Sequence, residues 1–192
     1  KAITWRDRGV VGIDIAGPES ATFRVADYRR LFRRARQHGL GITVHTGESG
    51  PVDEISRVVE LLEPDRIGHG VKAAYDPRTM AMIRERGIVL EICPTSNLNT
   101  GVVSGWDEFR WIFDQFHRNG VRYTISTDGP EMLKTYIRDE LATLGRLGIL
   151  SLAEQEQIAA TSLAASFVPN VSDVASPVLE PARRKVVERE EG

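Results

Sequence analysis

Short apolar runs and helical apolar stripes alternate along this chain from near its first residue. Residues 10–17 (VVGIDIAG) form a run rich in β-branched side chains that closes on Gly17-Pro18, the pattern of a strand buried on both faces. Tyr28, Leu31, Phe32 and Ala35 then recur at i, i+3, i+4 and i+7 with arginines between them. The stripe stops at Gly39, as an amphipathic helix with a glycine end does. The same alternation predicts a strand over 42–45, a helix on Val52, Ile55, Val58, Val59 and Leu62, and a brief strand over 66–69. A short helix marked by Met80 and Ile83 ends at Gly87 and leads into a strand over 88–92. Trp106, Phe109, Ile112, Phe113 and Phe116 make a strongly apolar helix face that ends at Asn119-Gly120, and residues 121–126 read as the next strand. One helix is expected over about 132–147, and another opens at Ser151 with Glu154 at capping-box spacing.

Strands that alternate with helices in this way indicate α/β architecture, either a barrel or a doubly wound sheet. The polar residues decide between them. In a TIM-type (β/α)8 barrel the chemistry gathers at the C-terminal ends of several strands. Here successive strands end in Asp14-Ile15-Ala16-Gly17, His45-Thr46-Gly47-Glu48, Gly68-His69-Gly70, Cys93-Pro94-Thr95-Ser96-Asn97 and Ser126-Thr127-Asp128-Gly129. A doubly wound nucleotide binder would carry a G-x-G-x-x-G turn after its first strand, and this chain has none. The expectation is a single barrel-type domain over 1–192, with β/α units to 167 and a more polar peripheral tail over 168–192.

Composition narrows the field. The 25 basic and 27 acidic residues are spread along the chain and leave a formal charge of −2, so there is no basic footprint for nucleic acid. The single cysteine, Cys93, excludes an internal disulfide or a multi-cysteine zinc cluster and fits a reducing, cytoplasmic setting. No apolar run approaches the roughly 20 residues that span a bilayer. The opening KAITWRDRGVVGIDIAG lacks the n-region and h-region of a signal peptide, and it has no initiator methionine. Because it runs almost directly into a buried-looking strand, the expectation is that the protein begins well upstream.

Two of the four histidines, His45 and His69, stand at predicted strand ends next to glycine, where a ligand can approach the backbone closely. His38 and His117 fall instead at polar ends of amphipathic helices and read as helix-terminal or solvated. With Glu48 three residues after His45 and Asp128 ending another strand, one barrel rim carries four groups able to bind metal or move protons. Imidazole nitrogen and carboxylate oxygen suit Zn²⁺, which in catalytic sites keeps an open position for water and lowers that water's pKa to about 7. A nearby glutamate then serves as general acid, and a second histidine or aspartate orients the nucleophile or takes its proton. The set points to metal-assisted hydrolysis.

VVGIDIAGPE, HTGE, RIGHG, CPTSN and STDGP occur in the order and at the approximate spacing of the adenosine deaminase family of zinc-dependent TIM barrels within the amidohydrolase superfamily. Over roughly residues 9–131 the chain resembles the last five β/α units of that barrel. The resemblance implies that His45 and Asp128 are zinc ligands and that Glu48 protonates purine N1 while hydroxide attacks C6. It further implies that His69 positions and deprotonates the attacking water, and that the Gly17 N–H meets purine N3. Asp14 reads as a cap or buttress of its strand, Glu19 as a solvated loop acid, Cys93 as a small buried residue, and Ser96 and Asn97 as braces of the rim.

Two departures from the family pattern stand out. The family's His-x-His pair, which supplies two further zinc ligands from its first strand, occurs nowhere in this chain. With strands one to three also missing, catalysis by these residues alone is not expected. Gly129 replaces the family's second aspartate, which meets purine N7. The resemblance therefore implies a zinc-dependent deaminase of a 6-aminopurine nucleoside, a small-molecule substrate, with no nucleic acid or membrane partner. 6-Amino-6-deoxyfutalosine, an intermediate of bacterial menaquinone synthesis, competes with adenosine as that substrate. A different amidohydrolase reaction and an inactive barrel kept for binding are the other readings, and the sequence leaves the oligomeric state open. The base-flipping zinc deaminases need Pro-Cys-x-x-Cys, which a chain with one cysteine cannot supply.

Overall fold

The computed structural model describes residues 1–17 and 24–168. After a 3-10 turn over Ile3–Arg8, five strands, β1 (Gly12–Ile15), β2 (Gly41–Thr46), β3 (Arg66–His69), β4 (Val89–Ile92) and β5 (Arg122–Ile125), form one sheet in the order β1-β2-β3-β4-β5. Every neighbouring pair is parallel. Helices α1 (Arg29–Gln37), α2 (Val52–Leu62), α3 (Pro77–Glu85), α4 (Pro94–Asn99), α5 (Trp106–Asn119), α6 (Pro130–Leu133), α7 (Ile137–Arg146) and α8 (Leu152–Ala164) connect or follow the strands. Parallel pairing in sequential order, with a helical crossover each time, is the barrel arrangement, and it brings all five reactive strand ends to one rim.

Strand periodicity sorts the side chains into two faces. Ile42, Val44, Ile67, Leu90, Ile92, Tyr123 and Ile125 pack with the helices in the core, while Thr43, His45, Arg66, Gly68, Glu91 and Thr124 take the alternate positions on the concave face. Helix α5 contributes most to the core. Phe109, Ile112, Phe113 and Phe116 are buried, and Phe113 stacks between Phe109 and Tyr123 at centroid distances of 5.6 and 5.0 Å. Burying each of these side chains stabilises the fold by about 2 kcal/mol.

The concave face has a floor at the N-terminal ends of the strands. Phe167, beyond α8, fills the space left by two glycines: a Cβ added to Gly41 would meet its ring at 2.4 Å and one added to Gly12 at 2.7 Å. The Arg66 guanidinium lies 3.8 Å from the Phe167 centroid, and Arg66 also pairs with Glu91 at 3.3 Å and reaches the Thr43 hydroxyl at 3.2 Å.

Three expectations change. Strand β1 is only half buried, with Asp14 exposed, because β2 is its sole neighbour among the described residues. Leu31 is 59% exposed, and α1 packs through Phe32 and Ala35 instead. The helix expected over 132–147 is two helices, since Lys134 adopts a left-handed φ of 50° and Tyr136 restarts the chain as an extended N-cap. Among the described residues no helix is long and apolar enough to cross a membrane. Glu19 and nearly all of the tail expected over 168–192 lie outside the described residues.

Candidate active site

Strand β2 carries His45 on the concave face and turns at Gly47. The turn is tight: a Cβ on Gly47 would meet Ile55 Cδ1 at 2.5 Å and Gly70 Cα at 3.1 Å, so only glycine packs there at its φ of 70°. Four described non-glycine residues have positive φ. Two of them, Glu63 and Lys134, end helices. The other two are His69 (φ 62°), the last residue of β3, and Asp128 (φ 61°), three residues after β5, both on this rim. Left-handed backbone costs such residues about 1 kcal/mol or more, and strain of this kind gathers at functional sites.

His45 is oriented from below. Its Nδ1 lies 3.1 Å from Asp14 Oδ1 and 3.0 Å from Oδ2, so Nε2 is the nitrogen left for a ligand. The Asp14 hydrogen bond raises the His45 pKa above the ordinary histidine value, with burial opposing it. The ring lies flat against Gly68, where a Cβ would come within 2.6 Å of His45 Cδ2. His69 is buried, and its ring stands edge-on to His45 at 5.5 Å between centroids. The Asn97 side-chain amide lies 3.1 Å from His69 Nδ1 and fixes that side of the ring, and His69 Nε2 is 3.7 Å from Glu48 Oε2. Asp128 accepts a 2.7 Å hydrogen bond from the Ser96 hydroxyl on Oδ2, leaving Oδ1 free of that bond.

These side chains share one environment. Asp128 is among the charges that raise His45, and Gly17, His45 and Glu48 line the same cleft of about 450 Å³. Among the described residues nothing stands within 4 Å of where a Gly17 Cβ would be. Below them, Glu91 has its pKa raised by burial, while Arg66 and His45 pull it back. Glu91 escaped the sequence reading, although a lone carboxylate inside the apolar run Ile88-Val89-Leu90-Glu91-Ile92 was a signal for it.

Asp14, read from the sequence as a buttress, is the partner of His45. Ser96 and Asn97, read as braces, hold Asp128 and His69. Cys93 is buried and its thiol is pushed up to about 12 by burial, which makes it a packing residue rather than a nucleophile. His38 bonds the Arg34 carbonyl at 2.8 Å and His117 pairs with Glu154 at 3.1 Å, both away from the rim. Among the described residues no three metal-ligating side chains converge. Two donors suited to zinc do stand here: His45 Nε2, with its other nitrogen fixed by a carboxylate, and the Asp128 carboxylate, fixed by a hydroxyl.

The family model described as Adenosine deaminase matches residues 1–176. An aminodeoxyfutalosine deaminase of Acidothermus cellulolyticus is 38% identical over 152 residues, covering 76% of this chain and 42% of that protein. An adenosine deaminase of Clostridium perfringens is 31% identical over 160 residues, covering 83% of this chain and 47% of the relative. Among solved structures, the arabidopsis protein ADAL in complex with IMP superposes with a TM-score of 0.77 at 27% identity, covering 92% of this chain and 53% of that one. The chain thus spans about half the length of the curated relatives it matches.

Proposed function

The chain belongs to the adenosine deaminase family, and from that premise we propose that it is the zinc-site portion of a hydrolytic deaminase acting on a 6-aminopurine nucleoside. One observation carries the reading: His45, Glu48, His69 and Asp128, which come from three different strand ends, meet on one rim, with the Glu48 carboxylate 3.7 Å from His69 and beside the cleft that Gly17 lines. On the same reading residues 1–167 belong to the β/α units of a single barrel domain.

The donor chemistry fits zinc. His45 Nε2 and the free Asp128 oxygen would hold it, with the remaining ligands supplied from outside these residues. When bound, the metal lowers the pKa of a water at its open position to about 7. Everything else falls to residues of this chain. The Gly17 N–H orients the purine through N3. Glu48 delivers a proton to N1 as water adds to C6, which lets the C6–N1 bond system accept the electron pair. His69, held by Asn97, stabilises the attacking water and takes its proton. That proton passes to the amino group, which leaves as ammonia when its bond to C6 breaks, while the new C6 hydroxyl returns its remaining proton to Glu48, so the purine amine and water become the 6-oxopurine and ammonia.

A second substrate is favoured by one relative's name and one residue. The Acidothermus relative is an aminodeoxyfutalosine deaminase, and Gly129 offers no carboxylate beside Asp128; a Cβ there would stand 3.3 Å from Met132 Cε. Ammonia release by the full-length, zinc-loaded protein decides between adenosine and 6-amino-6-deoxyfutalosine. Turnover of either supports the deaminase reading, and no ammonia from any 6-aminopurine despite bound zinc contradicts it.

A further inference from the structure

Asn97, in α4, is wholly buried, with 0% of its surface exposed. Its backbone is fixed on both sides: the N–H donates to the Cys93 carbonyl at 2.9 Å, and the carbonyl accepts the Val103 N–H at 3.1 Å. One end of the side-chain amide faces His69 Nδ1 at 3.1 Å, and the other end has no hydrogen-bond partner among the described residues. A buried amide left half unsatisfied costs about 1–3 kcal/mol. Stability therefore does not explain this amide; its contact with His69 does.

The two ends of an amide have nearly the same shape, so the same envelope admits two arrangements. With nitrogen toward the ring, Nδ2 donates to Nδ1 and a neutral ring carries its proton on Nε2. With oxygen toward the ring, Nδ1–H donates to Oδ1 and Nε2 presents a lone pair. Glu48 Oε2, the carboxylate oxygen beside Nε2, stands at 3.7 Å, too far to accept a hydrogen bond from it. His45 has the second kind of arrangement, with Asp14 on Nδ1 at 3.0 Å and Nε2 left for the cleft. The partners differ in charge. A carboxylate behind a histidine favours the positive ring, whereas a neutral amide fixes the tautomer and adds no charge, which suits a ring that must both take a proton and give it up.

We propose that Asn97 is a positioning residue that sets the tautomer of His69: its Oδ1 accepts from Nδ1–H, and the Nε2 lone pair faces the water that adds to C6. The choice rests on the deaminase reading, which needs a base at Nε2, but the tautomer itself is measured without turnover. As the water oxygen bonds to C6, its O–H bond breaks and the Nε2 lone pair takes that proton. The proton then passes to the amino group, which leaves as ammonia, and the lone pair returns to Nε2. A catalytic histidine held in the wrong tautomer loses about 10⁴-fold in rate.

The test uses the full-length, zinc-loaded protein labelled with ¹⁵N in histidine, as wild type, Asn97→Asp and Asn97→Leu. Aspartate keeps an acceptor for Nδ1–H and has no donor, while leucine has neither. Nitrogen–proton correlation spectra are taken about two pH units above the ordinary histidine value of about 6.5, where neutral rings dominate. The His69 signals, identified by their loss in His69→Gln, are expected to show the proton on Nδ1 in wild type and in Asn97→Asp. Expected kcat is within about 10-fold of wild type in Asn97→Asp and lower by at least about 100-fold in Asn97→Leu, with KM within about 2-fold and zinc content unchanged. A His69 protonated on Nε2 in wild type overturns the proposal. So does a folded Asn97→Leu protein with wild-type kcat, or a folded Asn97→Asp protein no more active than Asn97→Leu. If neither variant folds, the wild-type spectrum decides. A wild type with the proton on Nδ1 that releases no ammonia from any 6-aminopurine defeats the deaminase reading and leaves the tautomer assignment standing.

Discussion

At the scale of single residues, His45, Glu48, His69 and Asp128 were legible because each sits in a glycine-flanked cluster at a strand end, where periodicity stops and chemistry begins. Their partners were less so. Asp14 and Glu91 lie within strands, and only the register of β1, β2, β3 and β4 reveals that they share the concave face with His45. Sequence spacing does not encode that register. If His45 and Asp128 hold the metal, His45→Ala and Asp128→Ala will each abolish stoichiometric zinc in the full-length protein, as read by metal analysis. Retention of full zinc by either variant removes that residue from the metal site. Asp14→Asn keeps the ligand and weakens its support, so zinc affinity should fall by about 10-fold and not vanish; chelator competition distinguishes the two outcomes.

At the scale of elements, all five strands and the helices with a strong apolar stripe follow from periodicity, and the Ser151–Glu154 capping box forms as its spacing suggests. Helix α4 was not legible: its six residues, Pro94–Asn99, carry no stripe, and two of them are held by hydrogen bonds to His69 and Asp128. The break between α6 and α7 was missed because no glycine or proline marks it: Lys134, a residue that ordinarily favours helix, takes the left-handed φ of 50°. Helix α3 offers a clean test of local energetics. Asp76 caps it by accepting from the Thr79 hydroxyl at 2.6 Å and its N–H at 3.0 Å, and these bonds, the hydroxyl first, lower the Asp76 pKa. A lowered folded-state pKa means stability that is present above the unfolded value of about 3.9 and is lost as pH falls through the folded value. Asp76→Ala should therefore cost about 1 kcal/mol at neutral pH, and the gap to wild type should close in acid. A gap that is constant with pH in urea melts would remove the cap from the account.

At the scale of the whole molecule, α/β class and the barrel were legible because repeated units place their reactive ends on one side, and parallel sequential pairing bears this out. The floor was not. Phe167 follows the last helix by sequence, and its contact with Gly12 and Gly41 depends on the chain closing back beneath the sheet. Phe167→Ala should lower stability by about 2 kcal/mol, half the usual cost for a fully buried phenylalanine, while leaving zinc content unchanged, since Phe167 lies at the opposite end of the strands from His45. The central claim is that this rim performs deamination with Glu48 as the proton donor. The measurement that tests it most directly is zinc content and ammonia release, side by side, in full-length wild type and Glu48→Gln. The account predicts equal zinc and a loss of turnover of about 100-fold or more; wild-type turnover in the Glu48→Gln protein would contradict it.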